Sequence, residues 1–199
     1  MNSSRLVVKE SRRMGFMSRR EVRQAIYYSF VYKFDLKDPN KIVLSMMRWL
    51  KGLKESEIRD MAKEHAIPVL QEQVRPEMIA ELQFHRDRNA RLVLLSSALP
   101  YFCNPMAEFL GMDDVVCSRM EVRDDIFTGQ SVGKLVYGVE KAVRMKAYCE
   151  QENFPLETAW YYGDAYTDRF VLHAVGNPVV VKPEIKLGWM ARRNGWKRI

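Results

Sequence analysis

Cysteine is scarce in this chain of 199 residues. Cys103, Cys117 and Cys149 stand far apart in apolar surroundings, which excludes a disulfide framework and shows no zinc-ligand spacing. Long apolar runs are missing too. The stretch Ala25 to Tyr32 is broken by Ser29 and falls well short of the roughly 20 residues that a bilayer-spanning helix needs. The first residues, Met1-Asn2-Ser3-Ser4, lead into a mixed segment with Lys9, Glu10, Arg12 and Arg13, so no secretory leader is read there. Internal repeats and low-complexity segments are absent. What these absences leave is a soluble, cytoplasmic chain with buried free thiols, long enough to bury the core of one domain carrying a small insertion.

The charge balance is +7. Such an excess attracts anions, whether nucleic acid, anionic lipid or a phosphorylated molecule, and says nothing about fold. Arg12, Arg13, Arg19 and Arg20 lie near the start and Arg192, Arg193, Lys197 and Arg198 at the end, where solvated surface is the default reading; no nucleic-acid partner and no membrane span are expected.

Residues up to about Val74 read as helices. Val22, Ile26 and Phe30 are spaced four apart; Ile42, Val43, Met46, Met47, Leu50 and Leu53 make an apolar stripe at helical period, and Ile58, Met61, Ala62 and His65 repeat it. Asp38-Pro39-Asn40 and Pro68 punctuate them. Tyr27, Tyr28 and Tyr32 are candidates to line a binding site, with core packing the expected role for most of them.

The pattern then changes to strands alternating with helices. Pro76 opens a helix, and Arg91 to Leu95 forms a short apolar run suited to a buried strand. A helix with Phe102, Met106, Phe109 and Leu110 stops at Gly111. Val115 and Val116 begin a strand, and Met120 to Val132 reads as a hairpin turning at Asp124-Asp125. A helix from Val139 to Glu150, a strand Thr158 to Tyr162, a helix from Asp168, a strand Pro178 to Val181 and a helix from Glu184 complete the chain. The fold class this predicts is α/β, a Rossmann-like, mainly parallel sheet flanked by helices, with an N-terminal all-α subdomain over 1–74 and the α/β core over 75–199.

Reactive groups in parallel sheets collect in loops at the carboxyl ends of strands. Two loops stand out. Ser96 and Ser97 follow the first strand, and Gly163-Asp164-Ala165-Tyr166-Thr167-Asp168 follows Tyr162. Two carboxylates four residues apart can point to one centre when the second opens a helix, and hard oxygen donors suit Mg²⁺. A structural reading stands beside each: Asp168 as a helix cap, Asp164 as a turn residue, Ser96 as a cap, Lys141 as a solvated lysine.

In order, the stretches Leu92-Val93-Leu94-Leu95-Ser96-Ser97-Ala98, Gly138-Val139-Glu140-Lys141, Tyr162 to Asp168, and Val175 to Pro183 resemble the later motifs of the haloacid dehalogenase superfamily, in its phosphoserine-phosphatase-like branch with a helical cap. Each piece is short; their order carries the resemblance. It spans roughly Arg75 to the C-terminus, with the helical stretch before it as the cap. It implies a Mg²⁺-dependent phosphomonoester hydrolase acting on a small phosphorylated metabolite through an aspartyl-phosphate. Ser96 would donate a hydrogen bond to the phosphoryl group and Lys141 would balance its charge, with Ser97 as a neighbour. Asp164 would bind Mg²⁺, and Asp168 would support the metal directly or through water.

The family's first motif departs from this pattern. It is an Asp-x-Asp at the end of the first, central strand, providing the nucleophile. No Asp-x-Asp occurs here: Asp35-Leu36-Lys37-Asp38 is spaced differently, and Asp124-Asp125 lies in the hairpin. The stretch Asn2-Ser3-Ser4 looks like the entry into the cap. The expectation is therefore a true start upstream that supplies strand and nucleophile, and a given chain that is inactive and poorly stable, its sheet left with unpaired edges. The alternative is a non-catalytic phosphate-binding or regulatory protein of the same fold.

Overall fold

A computed structural model describes residues 3–33, 44, 45 and 47–199, with the side chains of 3–5 and 29–33 outside the description. Phe30, Tyr32, Ile42, Val43, Met46 and the segments Asp35 to Asp38 and Asp38-Pro39-Asn40 thus lie outside the described residues or side chains. By packing, the chain forms two compact units, Met1–Leu135 and Val136–Ile199.

The first unit opens with helices α1 (Ser3–Arg13) and α2 (Arg19–Lys33), then a single 3₁₀ turn at Arg48–Leu50. Among the described side chains of α2 Ala25 is buried, Ile26 and Tyr27 are exposed, contrary to the apolar spacing and to a core role for Tyr27, and Tyr28 is half-buried. A four-residue spacing fixes which residues share a face, but not whether a neighbour covers that face. Helices α3 (Glu55–Met61) and α4 (Ile67–Glu72) are joined without a break by a π turn, Ala62–Ala66. Pro68 is the cause. It has no N–H to give to the carbonyl of Glu64 and its ring crowds that carbonyl, so the ladder slips and Ile67 N–H reaches back to Ala62 O instead. The proline widens the helix where the sequence predicted a break. Ile58, Met61, Ala62 and Ala66 are fully buried around this turn.

Helix α5 (Pro76–Arg86) leads to β1 (Val93–Ser96), α6 (Pro100–Leu110) and β2 (Asp114–Cys117). Gly111 ends α6 in the left-handed conformation at φ 62°, as its place after Leu110 predicts. Strands β1 and β2 pair in parallel, with Val93 opposite Asp114 and Ser96 opposite Cys117. A hairpin of β3 (Met120–Arg123) and β4 (Ile126–Ser131) follows, turning through Asp124 and Asp125 at positive φ.

That turn does more than reverse the chain. Lys54, at the N-cap of α3, has a side chain that cannot serve the orphan N–H groups of a helix start in the ordinary way. The Asp125 carboxylate supplies the acceptor: Ser56 N–H donates to Oδ1 at 3.0 Å and Ser56 Oγ to Oδ2 at 2.6 Å, while Glu55 N–H donates to the Asp125 carbonyl at 2.8 Å. The Tyr101 hydroxyl donates to Glu55 Oε1 at 2.8 Å, beside the edge-to-face pair of Tyr101 with buried Phe127.

The second unit contains α7 (Val139–Gln151), β5 (Trp160–Gly163), α8 (Arg169–Leu172), β6 (Asn177–Val180), α9 (Ile185–Asn194) and β7 (Lys197–Arg198). The strands form one parallel sheet in the order β5, β6, β7. Leu172, Val180, Leu187 and Ala191 make its core, with Tyr161, Tyr166 and Trp196 packed on it. Strand β7 had no sequence signal, being two exposed cations with no apolar alternation. Gly176 is required by a close approach: a Cβ there would overlap the Glu157 carbonyl, while Gly176 N–H donates to Leu156 O at 2.9 Å.

The fold class is thus the expected one, α/β and Rossmann-like with parallel strands and flanking helices. Among the described residues β1 pairs only with β2, and β5 only with β6, so each strand leaves one edge without a strand partner. No helix among them is long and apolar enough to cross a membrane.

Candidate active site

Strand β5 delivers the acidic loop. Its alternation puts Trp160 and Tyr162 on one face, where their rings stack 6.4 Å apart, and Tyr161 and Gly163 on the other. A Cβ at Gly163 would lie 3.0 Å from Asp168 Cβ and 3.1 Å from Tyr161 Cε1, so the absent side chain is what lets Asp168 fold back beside the strand end. The loop is fixed from both sides. Asp168 N–H donates to Ala165 O, Glu184 N–H donates to Asp164 O at 3.0 Å, and Val181 N–H donates to Gly163 O at 2.9 Å.

Asp168 is buried, and it accepts a 2.7 Å hydrogen bond from Lys141 Nζ, whose side chain is only 12% exposed. The Tyr161 hydroxyl lies 3.4 Å from the same Nζ. Burial alone would push the ammonium pKa down, but the Tyr161 oxygen and the Asp168 carboxylate hold its proton, and the net direction is upward. Burial likewise raises Tyr161, with the neighbouring Asp168 carboxylate adding to it, so the phenol stays protonated. A charged lysine, a carboxylate and a neutral hydroxyl therefore form one buried cluster.

This resolves two of the alternatives left by the sequence. Asp168 occupies the N-cap of α8 yet makes no side-chain cap bond; its carboxylate goes to Lys141. Lys141 is not a solvated lysine. Asp164, at the strand exit, is exposed. A carboxylate is a hard oxygen donor of the kind Mg²⁺ takes, and Oδ1 of Asp168 is engaged by the ammonium. Among the described residues no group of three or more His, Cys, Asp or Glu is placed to hold a metal ion.

Ser96 belongs to the other unit, at the carboxyl end of β1. Its Oγ accepts a 3.1 Å hydrogen bond from Ala98 N–H, closing a tight turn, and α6 begins with Leu99 as N-cap, so Ser96 is not the cap. Ser97 beside it is half-buried. The residue missed in the sequence is Tyr161. Its signal was the period-two alternation that puts it on the face of Gly163.

The family model of haloacid dehalogenase-like hydrolases matches residues 2–173. A probable phosphatase of Mycobacterium tuberculosis is 26% identical over 185 residues, covering 92% of this chain and 64% of that one. A phosphoserine phosphatase of the same species is 32% identical over 116 residues, 58% of this chain and 37% of that protein. The solved structure of a protein of unknown function from Bordetella pertussis Tohama I superposes at TM-score 0.86 with 19% identity, over 100% of this chain and 92% of that chain, and shares the fold. The chain belongs to the haloacid dehalogenase-like hydrolase family. It spans about two thirds of the length of the curated relatives that it matches along most of its own sequence.

Proposed function

We propose that this chain is the phosphate- and Mg²⁺-binding part of a cytoplasmic phosphomonoester hydrolase acting on a small phosphorylated metabolite, the class to which the phosphoserine of its relative's name belongs. The observation that carries the reading is the buried Lys141–Asp168 pair beside Asp164 at the carboxyl end of a parallel strand, in a chain of this hydrolase family.

Phosphoryl transfer asks a protein for positioning and charge neutralisation. Lys141 brings a fixed positive charge to the rim of the loop, and Asp168 with Tyr161 keeps that charge oriented and protonated. Ser96, whose Oγ only accepts within its turn, keeps its hydroxyl proton to donate to a phosphoryl oxygen. Asp164 would hold Mg²⁺, which when bound would supply positive charge to offset that of a phosphoryl group. No Asp-x-Asp that could supply a nucleophilic aspartate occurs among these 199 residues. In this reading 1–74 is the cap subdomain and 75–199 the core. Without the nucleophile the chain is inactive.

The test is to produce the chain with its preceding coding segment and assay an aryl phosphate with Mg²⁺. Activity that appears with the segment and drops at least about 100-fold in Asp164→Asn supports the enzyme. The lack of an Asp-x-Asp favours a second reading, a phosphate-binding protein without catalysis; a folded, extended form that binds phosphate but turns over nothing would establish it.

A further inference from the structure

Helix α9 buries one face and leaves the other to solvent. Leu187 and Ala191, four residues apart, are fully buried in one core with Leu172 and Val180. Ile185 and Trp189 keep the same spacing two positions earlier, roughly 200° round the helix, and so stand on its outer side. Ile185 is 82% exposed and Trp189 71% exposed, the two highest values for large apolar side chains among the described residues. Apolar residues scattered singly over a surface mean little, but the two most exposed ones share a single ridge.

Cations flank the ridge. Arg192 and Arg193, three and four residues after Trp189, fall on the same side of the helix one turn on, and both are exposed. Lys186 follows Ile185, its ammonium 5.6 Å from the centre of the Tyr166 ring. From Lys182 to Arg198 the chain carries Lys182, Lys186, Arg192, Arg193, Lys197 and Arg198 against one carboxylate, Glu184. This combination discriminates among occupants. A second copy of the chain would set two such basic faces against each other, and like charges oppose that. A nucleic acid matches the cations but has no hydrocarbon to receive Ile185. An acidic bilayer surface satisfies both, since acyl chains take up the isoleucine, the indole suits the headgroup level, and phosphates meet the guanidinium groups.

We propose that the outer face of α9 is a docking surface for an anionic lipid bilayer, on which the protein sits peripherally. Ile185 and Trp189 enter the boundary between headgroups and acyl chains, and Arg192 and Arg193 hold headgroup phosphates, their apolar stems lying along the same boundary. The helix lies in the interface and does not cross it. Its start is tied to the acidic loop, because Glu184 N–H donates to Asp164 O at 3.0 Å, so docking brings that loop next to the lipid surface.

The experiment uses the full chain and needs no catalytic activity. The protein is mixed with vesicles of phosphatidylcholine, alone or with about one third phosphatidylglycerol, and the sedimented fraction is measured at low and high salt. Binding is expected on the acidic vesicles only, weakening as salt rises. Arg192→Gln/Arg193→Gln should weaken it roughly 30-fold, and Ile185→Ala/Trp189→Ala by more than about tenfold. Arg19→Gln/Arg20→Gln removes the same charge from exposed positions of α2 and should cost less than about threefold. Radical footprinting of the unsubstituted chain should show the peptide holding Ile185 and Trp189 protected on acidic vesicles, a result that depends on no variant folding. The proposal fails if acidic vesicles are not bound, if the Arg19/Arg20 variant loses as much as the Arg192/Arg193 one, or if that peptide stays unprotected. Association with DNA or with a second copy that requires Trp189, in place of vesicle binding, would also overturn it.

Discussion

Lys141 and Asp168 form an ion pair that burial makes consequential. Removing the ammonium leaves a carboxylate shut away from water with its partner gone, so Lys141→Met is expected to lower stability by about 3–5 kcal/mol in urea unfolding. The double variant Lys141→Met/Asp168→Leu should regain most of that loss, because two apolar groups leave no charge stranded. A single-variant loss below about 1 kcal/mol would mean that water reaches the pair. The pH dependence has a definite sign. Lys141 is raised in the folded state, so its stabilisation is complete below the ordinary lysine pKa of about 10.4 and is lost only as pH rises through the higher folded value. Unfolding curves at pH 7 and 9 should therefore show the same cost for Lys141→Met. The types of these two residues were legible from their order in the sequence. Their embrace was not, because it depends on a helix and a loop 27 positions apart meeting in space.

At the scale of elements, patterns of period 2 and 3.6 located β1, β2, β5, β6 and the helices around them to within a few residues, since each presents a continuous apolar face. The failures have physical causes. Pro68 was absorbed by a π turn, and β7 is held by backbone pairing of Val179 with Lys197 and Val180 with Arg198, which side-chain pattern cannot reveal. The hairpin turn was foreseen from Asp124-Asp125, but its second role was not. Asp125 is lowered, chiefly by its hydrogen bonds from the Ser56 hydroxyl and amide. A carboxylate depressed on folding stabilises above its unfolded pKa and ceases to do so as pH falls through the folded one. The Ser56 amide should consequently be protected from hydrogen exchange at neutral pH, and lose that protection on acidification below the ordinary aspartate range. Asp125→Ala should abolish it at neutral pH. Equal protection in that variant would show that the helix start is satisfied without the hairpin.

The two parallel sheets share one property: among the described residues β1 and β5 each have a strand on one side only. Strand β6, by contrast, pairs with β5 and with β7. Native-state hydrogen exchange should show β6 as the best protected strand of its sheet, with β5 losing protection at every other amide, the alternation of a strand paired along a single edge. Protection of β5 as complete as that of β6 would mean that its open edge is already occupied. Binding of an extended segment along that edge should convert the first pattern into the second.

The Asp125–Ser56 clasp also has a history each time the protein is made. Its two halves are 69 residues apart, so helix α3 leaves the ribosome before its cap exists. At roughly 5–20 residues per second, several seconds pass in which the Glu55 and Ser56 amides at the start of α3 lack their Asp125 acceptors. During that interval a chaperone, or the ribosome surface itself, meets a helix whose first turn is unfinished, and a slower-decoding message between the two halves would lengthen the exposure.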